Sequence, residues 1–459
     1  MRGSRQMILG AVMRGTGSHV AGWRHPSVDH AMLRGASGLP HYLQIAQLAE
    51  AGKMHFVFTA DSPAVTYASL PALMRQAAQD YYLDPVALLS ALAARTNHIG
   101  LVGSASTSYS DPYTIARQFA SLDHLSNGRA SWNVVTTFET AAAGNFGRKT
   151  HIPPAQRYER AGEFVDLVRR LWDSWEDDAF TRDKASGQFV DPDKLHRVSH
   201  HSAFFDLEGA LNVERSPQGH PVIFVAASSE DGRELAAAEA DALFSAQPEM
   251  KAGKAFYADV KQRVQRRGRS PDALAVMLGA MIIVGTTDAE ARDKHAALKD
   301  AIGIDFGVRY LSSLVGADLS DLPLDEKLPD RLREEPRWSR VPLVMDIAKR
   351  ANMTFREIAL HYADQYGHQF LVGSPATIAD ALQAMFEAPI ADGFLLRSPY
   401  YPDGLRDIVS LVIPELQRRG LFRTEYVPGT LRDNLGLARP PHPATAREIC
   451  PADAKRAVL

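Results

Sequence analysis

Residues 98–137 read HIGLVGSASTSYSDPYTIARQFASLDHLSNGRASWNVVTT, and this stretch decides the fold. It opens on an apolar run at 99–102, then turns small and polar through Ser104, Ser106 and Thr107. Asp111 before Pro112 marks a helix start: a carboxylate that accepts from free N–H groups, then a residue whose fixed φ suits the first turn. Ile115, Phe119, Leu122 and Leu125 follow at helical spacing, giving one apolar face. Asn127-Gly128 ends the helix, because both residues tolerate a left-handed backbone. Residues 130–135 then read as a buried strand. Strand, helix and strand in so short a stretch predict a right-handed βαβ unit, the repeat of a parallel sheet. Asn133, Thr136 and Thr137 fall late in the second strand, where such folds place their chemistry.

Working outward, strands are expected near residues 7, 54, 98, 129, 222, 242, 274 and 393, with helices between them. Eight such units predict an α/β fold, a (β/α)₈ TIM barrel with insertions. The rival is an open sheet with a separate helical domain, and the lack of a GxGxxG after the first strand argues against a dinucleotide site there. Residues 1–437 are expected to form the single barrel domain, with insertions at about 176–220 and 301–377 and a tail at 438–459. The first insertion carries a short hairpin around 204–213. The second contains DLSDLPLDEKLPD, too rich in Pro and Asp for an ordinary helix, and is a lid candidate.

The chain has 459 residues, 45% hydrophobic and 23% charged, the balance of a globular enzyme. A formal net charge of −3 leaves no footprint for nucleic acid or an anionic membrane. One cysteine, Cys450, excludes an intrachain disulfide and fits a reducing compartment. No run approaches the ~18 apolar residues of a membrane span, and 7–13 is too short for a signal-peptide core. A cytoplasmic protein is expected.

In a barrel the functional rim follows the strand ends. Those positions here hold His19 and Trp23, Asp61, Ser106 and Thr107, Asn133 and Thr137, then Ser228 and Ser229. Paired histidines for a metal-dependent hydrolase are missing at the needed spacing, and Asp61 stands alone where a glycosidase needs two carboxylates. Neutral polar groups suit a heteroaromatic cofactor held by its ring edge and phosphate. Ser228-Ser229 reads either as a phosphate cradle at a helix N-terminus or as an ordinary cap. Asn133 must find partners, structural or ligand-borne. His19 could exchange protons near neutral pH or simply cap a backbone group. His200-His201 reads as solvated, and Trp172 and Trp175 as packing.

Residues 116–137, ARQFASLDHLSNGRASWNVVTT, closely resemble the signature of the flavin-dependent nitrilotriacetate monooxygenase family. That bacterial-luciferase-like group also holds dibenzothiophene-sulfone, pristinamycin and long-chain-alkane monooxygenases. Further matches are Trp23-Arg24-His25-Pro26, Asn145-Phe146-Gly147, Arg157-Tyr158, LWDSWEDDA at 171–179, Ser216-Pro217-Gln218-Gly219, residues 414–426 and Thr430-Leu431-Arg432. The resemblance implies a luciferase-like barrel that binds FMN, as a homodimer or homotetramer. It implies a two-component system in which an NAD(P)H-dependent flavin reductase hands over reduced FMN, and this chain uses O₂ to oxygenate a small organic substrate. By position, Asp61, Thr107 and Asn133 approach the flavin ring, and Tyr158, Ser228 and Ser229 its phosphate. His19 and Trp23 face the substrate, as the catalytic candidates. No metal is implied. Alternatives are a deazaflavin-dependent hydride-transfer enzyme or a non-catalytic flavin-binding protein. The chain departs from the pattern at Val225-Ala226-Ala227, where the family reads Gln-Ala-Gly, which implies a weaker or shifted phosphate grip. It also has Thr137 for the usual serine, and Ala155 and Gln156 where a histidine is common, with His151 nearby.

Overall fold

The computed structural model describes residues 5–29, 38–64, 83–137, 139–247, 249–315, 318–334, 341–365 and 368–445. Residues 446–459, with Cys450 and the end of the expected tail, lie outside them. The strands are β1 (Ile8–Val12), β2 (Phe56–Thr59), β3 (Gly100–Ser106), β4 (Ala130–Val135), β5 (Val198–His201), β6 (Asp206–Gly209), β7 (Val222–Ala226), β8 (Ala242–Ser245), β9 (Ala275–Val284), β10 (Gln369–Gly373) and β11 (Gly393–Arg397). Parallel pairing runs β1-β2-β3-β4-β7-β8-β9-β11, and β11 pairs back onto β1. The result is the closed (β/α)₈ cylinder that the spacing predicts, each of its strands within a few residues of the expected place.

The unit that anchors this reading folds as its punctuation dictates. Asp111 accepts from the N–H groups of Tyr113 and Thr114 at 2.9 and 3.3 Å, starting the helix Pro112–Leu125. Asn127 and Gly128 then take φ of 54° and 79°. Elsewhere tertiary context shifts the boundaries. The hairpin is β5–β6, earlier than expected, because its outward residues are polar and leave no apolar run to read. β10 was not foreseen. It is short, follows the helix Phe355–Gln365 closely, and pairs only with residues 280–284 of β9, beyond the part of β9 that β8 covers. The helix Pro154–Trp172 ends where the Ser174 hydroxyl donates back to the Leu171 carbonyl at 2.7 Å. The last barrel helix is interrupted by a π turn, Ile408–Val412, ahead of Pro414, which has no N–H to continue an α ladder.

Inside the cylinder Val12, Phe56, Phe58, Val102, Phe224, Met277 and Leu395 form one apolar cluster. The rings of Phe56 and Phe224 meet edge to face at 5.0 Å. Leu431 closes the lower end: a Cβ on Gly100 would lie 2.6 Å from Leu431 Cδ1. Between β9 and β10 the helices Ile304–Val315, Val341–Arg350 and Phe355–Gln365 enclose their own apolar cluster around Leu311, Val344, Phe355 and Ile358. They reach the first loop of the barrel, where Val20 and Ala21 pack with Ile302 and Ala363. Among the described residues no helix is long and apolar enough to cross a membrane.

Arg129, at the foot of β4, is buried and fully engaged. Its Nε donates to Ser126 O at 2.8 Å, Nη1 to Thr96 Oγ1 and Ile99 O at 3.0 and 2.7 Å, and Nη2 to Ala93 O and Thr96 O at 3.0 and 2.9 Å. Asp123, fully buried beside it in sequence, accepts from Ala130 N at 3.0 Å and from Gln218 Nε2 at 2.6 Å. Replacing Arg129 by Met strands several buried acceptors, so Arg129→Met should destabilise the fold by ~3–5 kcal/mol. Arg129→Lys should recover only part of this, because an ammonium cannot match the fork. Urea unfolding followed by circular dichroism checks both.

Candidate active site

All barrel strands are parallel, so the residues that follow them share one rim. On that rim β3 and β4 lie side by side, with Ser104 level with Asn133 and Ser106 level with Val135. The Ser104 hydroxyl donates to Thr59 O at 2.9 Å and therefore accepts from Asn133 Nδ2 at 2.8 Å. This chain fixes the amide orientation. Asn133 Oδ1 is left buried with no hydrogen-bond partner, an arrangement that costs about 1–3 kcal/mol unless a ligand donor meets it. Asn133 alternates with Trp132 and Val134, which pack outward into the helix layer, so its own side chain faces the barrel interior.

Beside it the backbone is strained. Thr137 holds a φ of 43°, a left-handed conformation that costs a β-branched residue on the order of 1–2 kcal/mol. Its hydroxyl meets Ser106 Oγ at 2.7 Å, and its carbonyl accepts from Arg157 Nη1 at 2.6 Å. Thr107 is buried and turns its hydroxyl onto Val135 O at 3.3 Å. Tyr109 donates to or accepts from His151 Nδ1 at 2.6 Å and stacks on Phe146. Burial, then the charge of Arg157 and more weakly that of Arg148, depress the His151 pKa.

On the next sector of the rim, Tyr158 and Ser229 are joined at 3.1 Å. Ser229 caps the helix Glu230–Glu239 by accepting from Gly232 N at 3.2 Å. Ser228 meets Ser245 at 2.9 Å. The departure at Ala227 is accommodated locally, since a Cβ at position 232 would come 2.4 Å from the Ala227 methyl. Asp61 sits half-buried after β2, where burial and then the Asp84 carboxylate raise its pKa to about 6. Asn145 Nδ2 reaches across to Pro63 O at 2.8 Å, tying the Asn-Phe-Gly segment to the same loop.

His19 and Trp23 lie in the loop after β1, Trp23 half-buried in the turn Gly22–Arg24. The loop is seated on the chain after β11 by Ser18 N to Ser398 O at 2.8 Å and His19 N to Pro399 O at 3.1 Å. His19 does not join the Asn133 network. Its Nδ1 accepts from Ala21 N at 3.1 Å, and its Nε2 meets Asp364 Oδ1 at 3.0 Å. Asp364, whose other oxygen meets His295 Nε2 at 2.9 Å, carried no strand-end signal in the sequence, and neither did His295. Ser104 and Arg157 were legible only as parts of longer motifs.

One further cluster stands apart. Glu176, His196 and His442 bring ligand-type atoms within 4.8 Å of one another, beside Asp173 and His220 at the N-terminal side of the barrel. His442 already donates from Nε2 to Asp173 O at 2.9 Å and accepts at Nδ1 from Ala444 N at 3.2 Å, so its ring has no nitrogen to give.

A family model described as luciferase-like monooxygenase matches residues 19–392. The chain is 44% identical over 449 residues to nitrilotriacetate monooxygenase component A of Aminobacter aminovorans, with 96% of this chain and 98% of that protein covered. It is 43% identical over 439 residues to N-acetyl-S-(2-succino)cysteine monooxygenase of Bacillus subtilis strain 168, with 95% and 98% covered. Among solved structures, a riboflavin lyase with modified FMN and riboflavin superposes with a TM-score of 0.83 at 30% identity, covering 96% of this chain and 99% of that one.

The Asp61 carboxyl ionises near pH 3.8 in the unfolded chain and near pH 6 in the fold. Stability therefore falls as pH rises through that window, and the ionised form remains disfavoured above it. Asp61→Asn should raise the thermal midpoint at about pH 8 and have no effect by about pH 3, which a pH series of thermal melts reads directly.

Proposed function

The chain belongs to the luciferase-like monooxygenase family, and from that premise we propose that it is the FMN-dependent oxygenase of a two-component system. A separate NAD(P)H-dependent flavin reductase would be its transient partner. The relative named component A is by that name one part of a larger enzyme, and the riboflavin lyase was solved with modified FMN on the same fold. Residues of this chain fit such a group. Asn133 Oδ1 is a buried, oriented acceptor with nothing to accept from, and it would take the N–H of a flavin ring edge. This is the observation that carries the reading. Ser228, Ser229 and Tyr158, at the start of a helix with free N–H groups, would take the phosphate. Thr107 and the Asp61 loop would flank the ring.

Reduced FMN, when bound, supplies the electrons with which O₂ is activated, so that one oxygen atom goes to substrate and the other leaves as water. The work of the chain is to bind, orient and keep water out. Ser106, Thr137 and Arg157 hold the strained turn beside Asn133 in one shape. The apolar layer of Phe56, Phe58 and Phe224 seals the barrel beneath. The helical insertion would be the lid above, and a dry site strengthens each polar contact made to the ring.

The two relatives are named for substrates that carry several carboxylates, and we assign this chain a polycarboxylate substrate as well. Arg397 is buried at the end of β11 and follows inward-facing Leu395 by two residues. Arg14 follows β1, which pairs with β11 in the register Ala11 to Leu396, so the two arginines stand at adjacent strand ends. Together they would hold carboxylates.

Purified protein supplied with reduced FMN should oxidise nitrilotriacetate only when O₂ is present; turnover under anaerobiosis with a deazaflavin would replace this reading with hydride transfer. Asn133→Leu should weaken FMN binding about tenfold, or ~1.4 kcal/mol, measured by flavin fluorescence quenching. Arg397→Gln should raise KM for the same substrate about tenfold or more and alter FMN affinity little.

A further inference from the structure

The His19 loop is held from two sides by different means. On one side its backbone lies directly on the chain after β11. A Cβ at Gly17 or Gly22 would come 2.2 Å from Pro399 O, and Tyr401 N donates to Thr16 O at 3.1 Å. On the other side Val20 and Ala21 pack on Ile302 and Ala363, Arg24 Nη1 donates to Ala301 O at 2.7 Å, and one buried carboxylate takes the His19 ring. Ala21 N occupies His19 Nδ1, so the imidazole proton sits on Nε2 and points at Asp364 Oδ1, 3.0 Å away. Asp364 Oδ2 takes His295 Nε2 at 2.9 Å. The side chains of His19 and Asp364 are 0% and 3% exposed. Three segments distant in sequence therefore converge on one buried group: the loop after β1, the helix Asp288–Asp300, and the helix Phe355–Gln365 that ends the insertion. Burial alone would raise the carboxyl, but the two imidazoles outweigh it and hold its pKa at about 2. Two opposed N–H donors require two acceptors. An amide would turn a donor toward one of the rings, and an apolar side chain would leave both rings unmatched.

We propose that Asp364 is a positioning residue: through His19 it couples the helical insertion to the His19–Trp23 segment and so sets the wall that faces the substrate. The placing of that segment at the substrate rests on the oxygenase reading above. The coupling itself does not. It explains why a histidine with both nitrogens engaged stands in this loop, and it makes His19 a carrier of geometry rather than a proton donor to substrate.

The test uses the full chain with Asp364→Ala, Asp364→Asn and His295→Gln, read in two ways. Hydrogen–deuterium exchange without any ligand follows the peptide covering 13–28. Exchange there should speed about tenfold in Asp364→Ala, less in Asp364→Asn, and under threefold in His295→Gln, which keeps the His19 bond. Steady-state assays with reduced FMN and nitrilotriacetate as the probe should show KM raised about fivefold or more in Asp364→Ala and fewer products per O₂ consumed. FMN affinity should stay within about twofold. The proposal is overturned if exchange quickens only in 355–365 while 13–28 keeps the wild-type rate, or if KM and coupling stay unchanged in variants whose loop has loosened. Should Asp364→Ala fail to fold, Asp364→Asn decides by the same two readouts. Should the wild-type chain turn over no substrate, the oxygenase reading falls and the exchange arm alone decides the coupling.

Discussion

A guanidinium group buried at the foot of β4 fixes the height of everything above it. Arg129 has its N–H donors matched to carbonyls and a hydroxyl from the end of one helix, the start of β3 and the turn before β4. A buried cation without such partners would cost several kcal/mol, so these segments have little freedom to move apart. Asp123 does the same from the other side, tying the helix end to the Ser216–Gly219 turn through Gln218, whose side-chain Oε1 accepts from Arg432 N at 3.1 Å. With the lower ends of β3 and β4 locked, their register is set, and Ser104 falls opposite Asn133. The orientation of one amide at the rim thus depends on a cation and an anion at the floor.

This division explains what could be read from the chain before its shape was known. Asp111-Pro112 and Asn127-Gly128 are local signals, decided by cap geometry and left-handed φ, and they placed the βαβ unit within a residue or two. Buried parallel strands announce themselves as apolar runs, so the barrel was legible. β10 was not, because five residues that extend one edge of a long strand carry no more signal than a loop. The family-like stretches also proved more architectural than chemical. Asp123, Arg129, Gln218 and Arg432 serve the floor, while the oriented Asn133 owes its sharpness to Ser104, a residue no motif would single out.

Groups that act through tertiary contact were the least legible. Asp364 sits in a helix of the insertion, far from any strand end, and only folding shows it between two imidazoles. Likewise Thr137 reads as a conservative change for serine, yet its left-handed backbone is maintained by Arg157 from another helix. The carboxylates of the rim end in opposite states for reasons of neighbourhood: Asp364, given two N–H donors, stays ionised, whereas burial and then the Asp84 carboxylate make Asp61 keep its proton to about pH 6.

Leu431 has a temporal meaning as well as a spatial one. The stopper of the cylinder lies late in the chain, anchored by its N–H on Gly128 O at 2.8 Å, and its side chain fills the space beneath Gly100. While the polypeptide is still leaving the ribosome, every earlier strand can be present and the tube still stands open to solvent at its base. Nascent chains therefore have an interval, between synthesis of β11 and of residue 431, in which the aromatic lining is wet and a folding helper that shields it would be needed most.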